Sequence, residues 1–249
     1  MTGPRILILD SPIIPGSRIV PDRDRVHHLR DVLRVRLGHV VFVSDGEGRR
    51  WISHVVEEGG AFALLVEGLA PEAPISPRVK VGLLIAALKS GRTEWAIEKA
   101  VECGVREVRV FVADRSVART GEDSAKADRF GRVAAEAARQ CGRDDVPGVS
   151  VWQSLDRALA GIEGDGRFVL DERPGAAPLS AALGAYEAVD AVWLAIGPEG
   201  SFTDRERATL QAAGFAAANL GPRVLRAETA AIAAVIIAQS LIGDMGGMA

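Results

Sequence analysis

Two stretches of this sequence place glycine, proline and charged residues directly after an apolar run. The first is LAIGPEGSFTDRE at 194–206, and the second is LGPRVLRAETAAIAA at 220–234. In the first, Thr203 and Glu206 have the spacing of a capping box, which predicts a helix start. Glycine lets a backbone approach a ligand closely, and amides at a helix start bind polar groups. Each stretch therefore fits either a plain turn between a strand and a helix or a ligand-binding loop.

The charged residues of the second stretch need either partners or a function. Arg223, Arg226 and Glu228 lie between two apolar segments, where charge is costly unless it is paired or used. A carboxylate near a helix N-terminus is favourable, so a structural pair between Glu228 and an arginine is the alternative to chemistry. The first stretch has the spacing of neither a Walker loop nor GxGxxG. GxGxxG follows no predicted strand, which disfavours a Rossmann-type oxidoreductase.

The surrounding pattern predicts which elements position these stretches. Residues 1 to about 70 show short apolar runs and turns typical of strands, and the three prolines of APEAPISP at 70–77 indicate a linker. Beyond it, apolar strands alternate with amphipathic helices, which predicts an α/β fold with a parallel sheet covered on both faces. Ligands bind beyond the carboxyl ends of such strands. We therefore expect the site in the loops after Leu170, Ile196 and Leu220.

Composition and charge limit the class of protein. The chain has 249 residues and a net charge of −3, so it is not a general polyanion binder, and any RNA site must be a local patch. Cys103 and Cys141 belong to no CxxC or Cys/His cluster, which predicts reduced thiols, no metal and a cytoplasmic location. The apolar run at 230–243 falls short of the ~20 residues that span a bilayer, so no membrane segment is expected.

Together the two stretches resemble the signature of the RsmE family, the ribosomal RNA uridine-N3 methyltransferases of the SPOUT superfamily. The upstream segments KSGRTEWAIEKAVECGV, AAEAARQCGRDDVP and HHLRDVLRVRLG are similar to further motifs of that family, so the resemblance covers nearly the whole chain. Two positions depart from it. Ser201 stands where the family usually has glycine, and Arg139 stands where it usually has glutamate.

The resemblance implies a two-domain architecture. Residues 1–72 would form a PUA-like RNA-binding β-barrel, and residues 73–249 would form a SPOUT methyltransferase domain of the α/β class. In that domain the chain would form a trefoil knot, which holds S-adenosyl-L-methionine and at which two subunits pack as a homodimer. Nothing in the periodicity or the spacing reveals a knot.

The resemblance also assigns a cofactor pocket to the three loops named above. Backbone groups of Gly197, Leu220 and Leu225 would meet the adenine and ribose. The residues expected to bind S-adenosyl-L-methionine are Leu170, Asp171, Ile196, Gly197, Pro198, Glu199, Gly200, Leu220, Gly221, Arg223, Val224, Leu225, Arg226 and Thr229.

The chemistry of the implied reaction suggests catalytic residues. Uridine N3 carries a proton and is a poor nucleophile until that proton leaves, so the site needs a base or a cation that stabilises the anion. Glu199 and Glu228 are candidate bases, and Arg226 and Arg143 are candidate stabilisers.

The expected substrate is 16S ribosomal RNA or the small ribosomal subunit. The residues expected to contact RNA are Arg30, Arg34, Lys89, Arg139 and Arg143. The alternative is a non-catalytic module of the same architecture that binds RNA or the ribosome.

Overall fold

The computed structural model describes residues 3–9, 12–116, 124–173, 175–186 and 188–245. They fall into two compact units. The N-terminal unit combines residues 1–76 with the later segment 138–146, and the C-terminal unit combines residues 77–137 with 147–249. The predicted boundary between residues 72 and 73 makes the N-terminal domain one continuous segment. In the structure, the N-terminal unit also includes segment 138–146.

The N-terminal unit is built on a five-stranded sheet in the order β1-β3-β4-β5-β2. At its centre β3 pairs with β4, and β4 pairs with β5, in antiparallel register. A short helix α1 leads into a π-helical turn at 28–32, and Leu29 of that turn is fully buried. The element bounds are β1 Arg5–Leu7, β2 Arg18–Ile19, α1 Arg23–His27, β3 Val40–Ser44, β4 Arg50–Glu58 and β5 Ala61–Leu69.

A buried ion pair attaches segment 138–146 to the rest of the N-terminal unit. The guanidinium of Arg50 binds the carboxylate of Asp144, and their side chains are 6% and 0% exposed. The backbone N–H of Ile75 also donates to Asp144, at 2.6 Å, and so does the hydroxyl of Ser44. The carboxylate thus receives donors from three separate places in the chain, as a buried charge requires.

The C-terminal unit is an α/β fold with a seven-stranded parallel sheet, as the sequence predicts. The strand order is β10-β12-β9-β11-β6-β7-β8, and the buried strands are rich in branched apolar residues. The strand bounds are β6 Lys80–Ala86, β7 Val105–Phe111, β8 Gly148–Trp152, β9 Gly166–Leu170, β10 Ala177–Pro178, β11 Ala191–Ile196 and β12 Ala216–Asn219.

Helices pack on this sheet. Helix α6 begins with the predicted capping box, in which Thr203 and Glu206 bond each other's backbone. Helix α7 packs against α2, α5, β6 and β11. The helix bounds are α2 Arg92–Glu102, α3 Ser124–Cys141, α4 Leu155–Leu159, α5 Leu179–Leu183, α6 Asp204–Ala212 and α7 Ala227–Leu241.

Two negative findings apply to the part of the chain that the structure describes. No helix there is long and apolar enough to cross a membrane. Within the same residues, no group of three or more His, Cys, Asp or Glu side chains could hold a metal ion.

Candidate active site

The three loops predicted to form the site leave neighbouring strands at one edge of the parallel sheet. Leu170 at the end of β9 is in register with Ile196 of β11 and with Ala218 of β12. Ile196 is in register with Ile85 of β6 on its other side. Because parallel strands end at the same edge, the loops after β9, β11, β12 and β6 all start from that edge. This is where ligands bind in open α/β sheets.

In the loop after β11, glycine allows close packing within the protein. A Cβ on Gly197 would lie 3.0 Å from the ring of Phe202, and one on Gly200 would lie 3.2 Å from Cβ of Arg115. Arg115 also donates a hydrogen bond to the carbonyl oxygen of Gly200, at 3.0 Å. The two glycines therefore let this loop lie directly against its supporting side chains, and Glu199 between them projects from a fixed backbone.

Ser201 adopts the left-handed backbone conformation that usually favours glycine. Its φ is 58°, which is uncommon for a residue with a Cβ. The Ser201 hydroxyl donates to Glu172 of the β9 loop, at 2.6 Å. The departure from the family pattern thus keeps the turn and adds a hydrogen bond between two of the three loops.

The loop after β12 is exposed and carries two unpaired arginines. Asn219 accepts the backbone N–H of Gly221 at 3.0 Å, and Gly221 has a φ of 101°. Arg223 is exposed, and so is Arg226, the residue that precedes α7. Among the described residues, neither arginine side chain has a hydrogen-bond or ion-pair partner. The two guanidinium groups are therefore available to an anionic ligand such as RNA.

The remaining predicted pocket residues differ in exposure. Asp171 is nearly buried and accepts a hydrogen bond from Arg207 at 2.7 Å, so its carboxylate is already occupied. The side chain of Val224 is 78% exposed. The predicted residues with half-buried or buried side chains are Leu170, Ile196, Pro198, Leu220 and Leu225, and Thr229 is exposed.

The loop after β6 was not among the three predicted to form the site, yet Arg92, the first residue of α2, follows it directly. Nη1 of Arg92 lies 3.7 Å from Oε1 of Glu199, and Nε lies 3.8 Å from Oε1 of Glu228. The backbone N–H of Lys89 donates to the same oxygen of Glu199, at 3.3 Å. A signal was present in the sequence, since KSGRT also follows a buried strand and begins a helix. The loop after β6 therefore connects the two carboxylates that were predicted as bases.

Glu228 is the least exposed of the predicted catalytic residues outside the N-terminal unit. Its side chain is 9% exposed, and Oε2 has no hydrogen-bond partner in the described part of the chain. It is the second residue of α7, where the helix dipole favours a carboxylate. An arginine does pair with Glu228, but it is Arg92 and not one from its own stretch.

The residues predicted to contact RNA fall into both units. Arg30 and Arg34 are exposed in the N-terminal unit, and Arg34 has a left-handed φ of 54°. Lys89 is exposed in the C-terminal unit, and Arg139 is exposed near the end of α3. These four placements are compatible with RNA contact.

Arg143 differs from the other predicted RNA-binding and catalytic residues. It belongs to the N-terminal unit, where Nε donates to Asp145 at 3.2 Å. The two side chains are only 5% and 0% exposed. The structure therefore gives Arg143 a buried structural partner, and this placement offers no support for its predicted roles in catalysis and RNA contact.

Comparison with known proteins identifies both domains of the chain. An RNA methyltransferase domain family matches residues 75–239, and an RNA methyltransferase PUA domain family matches residues 20–67. The chain is 34% identical to the ribosomal RNA small subunit methyltransferase E of Mycobacterium bovis, over 88% of this chain and 85% of that protein. It is 27% identical to the ribosomal RNA small subunit methyltransferase E 2 of Borreliella burgdorferi, over 97% of this chain and 99% of that protein.

A solved structure shows the same fold. It is the ribosomal RNA small subunit methyltransferase E of Neisseria gonorrhoeae bound to S-adenosyl methionine, with a TM-score of 0.79 and 24% identity. The alignment covers 97% of this chain and 99% of that one. The fold and the matched domains define the class as RNA methyltransferases with a PUA domain. Within that class, the chain belongs to the ribosomal RNA small subunit methyltransferase E family, which is the RsmE family.

Proposed function

We propose that the protein transfers a methyl group from S-adenosyl-L-methionine to N3 of a uridine in 16S ribosomal RNA of the small subunit. The observation that carries the proposal is the meeting of Glu199, Glu228 and Arg92 at the edge where the Gly-Pro loops begin. The relatives named as small subunit rRNA methyltransferases support the substrate class. Such a protein would work in the cytoplasm, where ribosomes are assembled.

The residues at this edge fit the cofactor. Leu220 and Leu225 offer partly buried apolar surface for an adenine ring, and a Cβ on Gly221 would meet no atom within 4 Å. Glu199 and Glu228 supply negative charge that suits a cation. By family resemblance, backbone groups of Gly197, Leu220 and Leu225 would hold the adenosine. When bound, S-adenosyl-L-methionine supplies an electrophilic methyl group on a positively charged sulfur.

The protein must make the uridine nitrogen nucleophilic. Glu228 is the better placed of the two candidate bases, because its Oε2 has no partner in the described structure while Glu199 already accepts the N–H of Lys89. Glu228 would accept the N3 proton, and Arg226 would stabilise the negative charge that develops on the uracil ring. Since N3 lies on the pairing edge, the target uridine must be unpaired or flipped out.

A trefoil knot in the C-terminal unit is part of the proposal. β12 lies second from one edge of the sheet, yet α7, which follows it, packs on the central strands β6 and β11. The chain therefore returns to the middle of the sheet after its last strand, which is the course that a knot at this position needs.

A homodimer is also part of the proposal. The side chains of Ile236 and Leu241 on α7 are 38% and 50% exposed, and Trp95 on α2 is 45% exposed. A subunit interface on these two helices, which pack against each other, would cover these side chains. Sedimentation analysis of the wild type tests this, with a dimer expected at micromolar concentration.

A non-catalytic RNA-binding module of the same architecture is the competing function. The two unpaired arginines of the β12 loop would serve such a module equally well. Titration calorimetry with S-adenosylhomocysteine separates the two functions, because only a methyltransferase needs this pocket. We expect one ligand per subunit, and a chain that binds none contradicts the enzyme proposal.

A further inference from the structure

We propose that Arg92 is a positioning residue that links Glu199 to Glu228 and leaves one oxygen of Glu228 for a donor group on a bound ligand. The donor is an N–H group or a positive charge, and its source is either the target uracil or the methyl donor. The inference rests on the proposed function, because it assigns these ligands to the same site.

The cluster joins three segments that are far apart in the sequence. Arg92 is the first residue of α2, Glu199 lies in the loop after β11, and Glu228 is the second residue of α7. The distances of 3.7 and 3.8 Å from the guanidinium to the two carboxylates are those of ion pairs and exceed those of good hydrogen bonds. The guanidinium of Arg92 thus pairs with two carboxylates, and the three side chains together carry a net negative charge.

Backbone geometry fixes the position from which Arg92 reaches both carboxylates. Ser90 and Gly91, which precede it, have left-handed φ values of 54° and 74°. Thr93, which follows it, is buried, and its hydroxyl accepts the N–H of Leu88 at 2.9 Å. Helix α2 packs directly against α7. The arginine side chain therefore starts from a constrained backbone position.

Glu228 carries the one oxygen of the two carboxylates that is buried without a hydrogen-bond partner among the described residues. Its side chain is 9% exposed, and Oε2 accepts no hydrogen bond from any residue that the structure describes. Buried carboxylate oxygens are normally paired, because desolvating them without a donor is unfavourable. An exposed ion pair contributes little to stability. The role inferred for Arg92 is instead to orient a buried carboxylate that retains a free acceptor. An N–H group of the substrate or a positive charge on a ligand would pair with Oε2 of Glu228.

The test compares Arg92→Ala, Arg92→Lys and Glu228→Gln with the wild type. Glu98→Gln is the matched control, since it neutralises a half-exposed glutamate on α2 that pairs with Lys99. Calorimetry measures the affinity for S-adenosylmethionine and S-adenosylhomocysteine, and single-turnover assays measure methyl transfer to small-subunit rRNA at saturating cofactor. We expect Arg92→Ala and Glu228→Gln to lose on the order of 100-fold in the transfer rate. S-adenosylhomocysteine affinity should stay within about threefold, because the remaining pocket contacts persist.

The conservative variant separates positioning from folding. Arg92→Lys keeps the charge but loses the planar fork, so we expect an intermediate transfer rate with wild-type binding of S-adenosylhomocysteine. If Arg92→Ala does not fold, the transfer rate and the S-adenosylhomocysteine affinity of Arg92→Lys are compared with those of the wild type instead. Glu98→Gln should match the wild type in every assay.

The two ligands identify the source of the donor. Weaker binding of S-adenosylmethionine to Glu228→Gln, with unchanged binding of S-adenosylhomocysteine, assigns the donor to the positively charged methyl donor. Unchanged binding of both, with slow transfer, assigns it to the uracil N–H. An active wild type whose Arg92 and Glu228 variants transfer methyl groups at the wild-type rate, with wild-type affinities, overturns this inference and the role of Glu228 as the base, while the proposed methyl transfer itself stands. A wild type that transfers no methyl group overturns the proposed function and this inference with it.

Discussion

Nε of Arg92 lies 3.8 Å from Oε1 of Glu228, although the two residues begin helices at opposite ends of the C-terminal unit's sequence. The packing of α2 against α7 brings them together. The same guanidinium lies 3.7 Å from Glu199. Three of the loops at the carboxyl edge of the sheet are therefore connected through one side chain.

The first prediction concerns Arg226, which is exposed and has no side-chain partner in the described structure. Arg226→Ala should lower the rate of methyl transfer on the order of 100-fold, because the charge that stabilises the uracil anion is lost. The fold and the dimer should persist, since no described contact is removed. Radiolabel transfer to small-subunit rRNA measures this, with Arg18→Ala, which breaks an exposed pair with Glu58, as the control. Wild-type transfer by Arg226→Ala would show that the β12 loop is wrongly assigned.

The second prediction concerns the left-handed backbone of Ser201. Ser201→Gly and Ser201→Ala both lose the hydrogen bond to Glu172, but only alanine keeps a Cβ at a φ of 58°. Ser201→Gly should therefore have a free energy of unfolding about 1 kcal/mol higher than that of Ser201→Ala. Urea denaturation of the two variants gives the difference. Equal stability would mean that the left-handed conformation is not maintained in solution.

The third prediction concerns the close packing of Gly197. A Cβ there would lie 3.0 Å from the ring of Phe202, which is buried and stacked on Phe111. Gly197→Ala should destabilise the protein by about 1–3 kcal/mol and weaken binding of S-adenosylhomocysteine, because the loop must shift. Gly131→Ala is the control, since a Cβ meets nothing within 4 Å in the middle of α3. It should raise stability by up to ~1 kcal/mol.

Thermal unfolding and calorimetry on both glycine variants decide this third prediction. If Gly197→Ala and Gly131→Ala had the same affinity for S-adenosylhomocysteine and the same melting temperature, the loop after β11 would not be rigid.

The fourth prediction concerns the buried ion pair of the N-terminal unit. Asp144→Ala leaves the guanidinium of Arg50 and the N–H of Ile75 buried without their acceptor. It should reduce the free energy of unfolding by about 3–5 kcal/mol. Glu58→Ala, which breaks the exposed pair with Arg18, should cost less than about 1 kcal/mol. Similar small losses in both variants would contradict the inclusion of segment 138–146 in this unit's core.

The fifth prediction is a dependence of stability on pH. Hydrogen bonds from Arg205, then from Thr203, lower the pKa of the Asp114 carboxyl. A lowered pKa in the folded state means that the stabilisation is complete above the ordinary pKa of about 3.9 and is lost as the pH falls from there through the lowered pKa. The melting temperature of Asp114→Asn should therefore lie further below the wild type at pH 7 than at pH 3. A gap that is constant or wider at pH 3 would contradict this.

Much of the C-terminal unit could be predicted because its signals are local. Alternating strands and helices predict the parallel sheet, and the capping box at Thr203 and Glu206 is present as its spacing indicates. The strand ends at Leu170 and Ile196 lie in register. Two Gly-Pro loops on nearby strands then predict where the site lies, because parallel strands end at one edge.

The contacts between distant segments could not be predicted in the same way. Nothing local to KSGRT indicates that Arg92 reaches Glu228, since that contact depends on how α2 packs against α7. Arg143 has the charge of an RNA-binding residue, yet Asp145, two residues later, pairs with it in a buried position. Composition records the charge but not its burial.

The most direct test of the central claim is mass spectrometry of nucleosides from small-subunit RNA incubated with the purified protein and S-adenosylmethionine. The RNA is taken from a strain that lacks the gene, so that the target position is unmodified at the start. We predict about one new 3-methyluridine per 16S rRNA molecule, carrying the methyl group of the labelled cofactor. Transfer of no methyl group, or of one to a position other than uridine N3, would contradict the account.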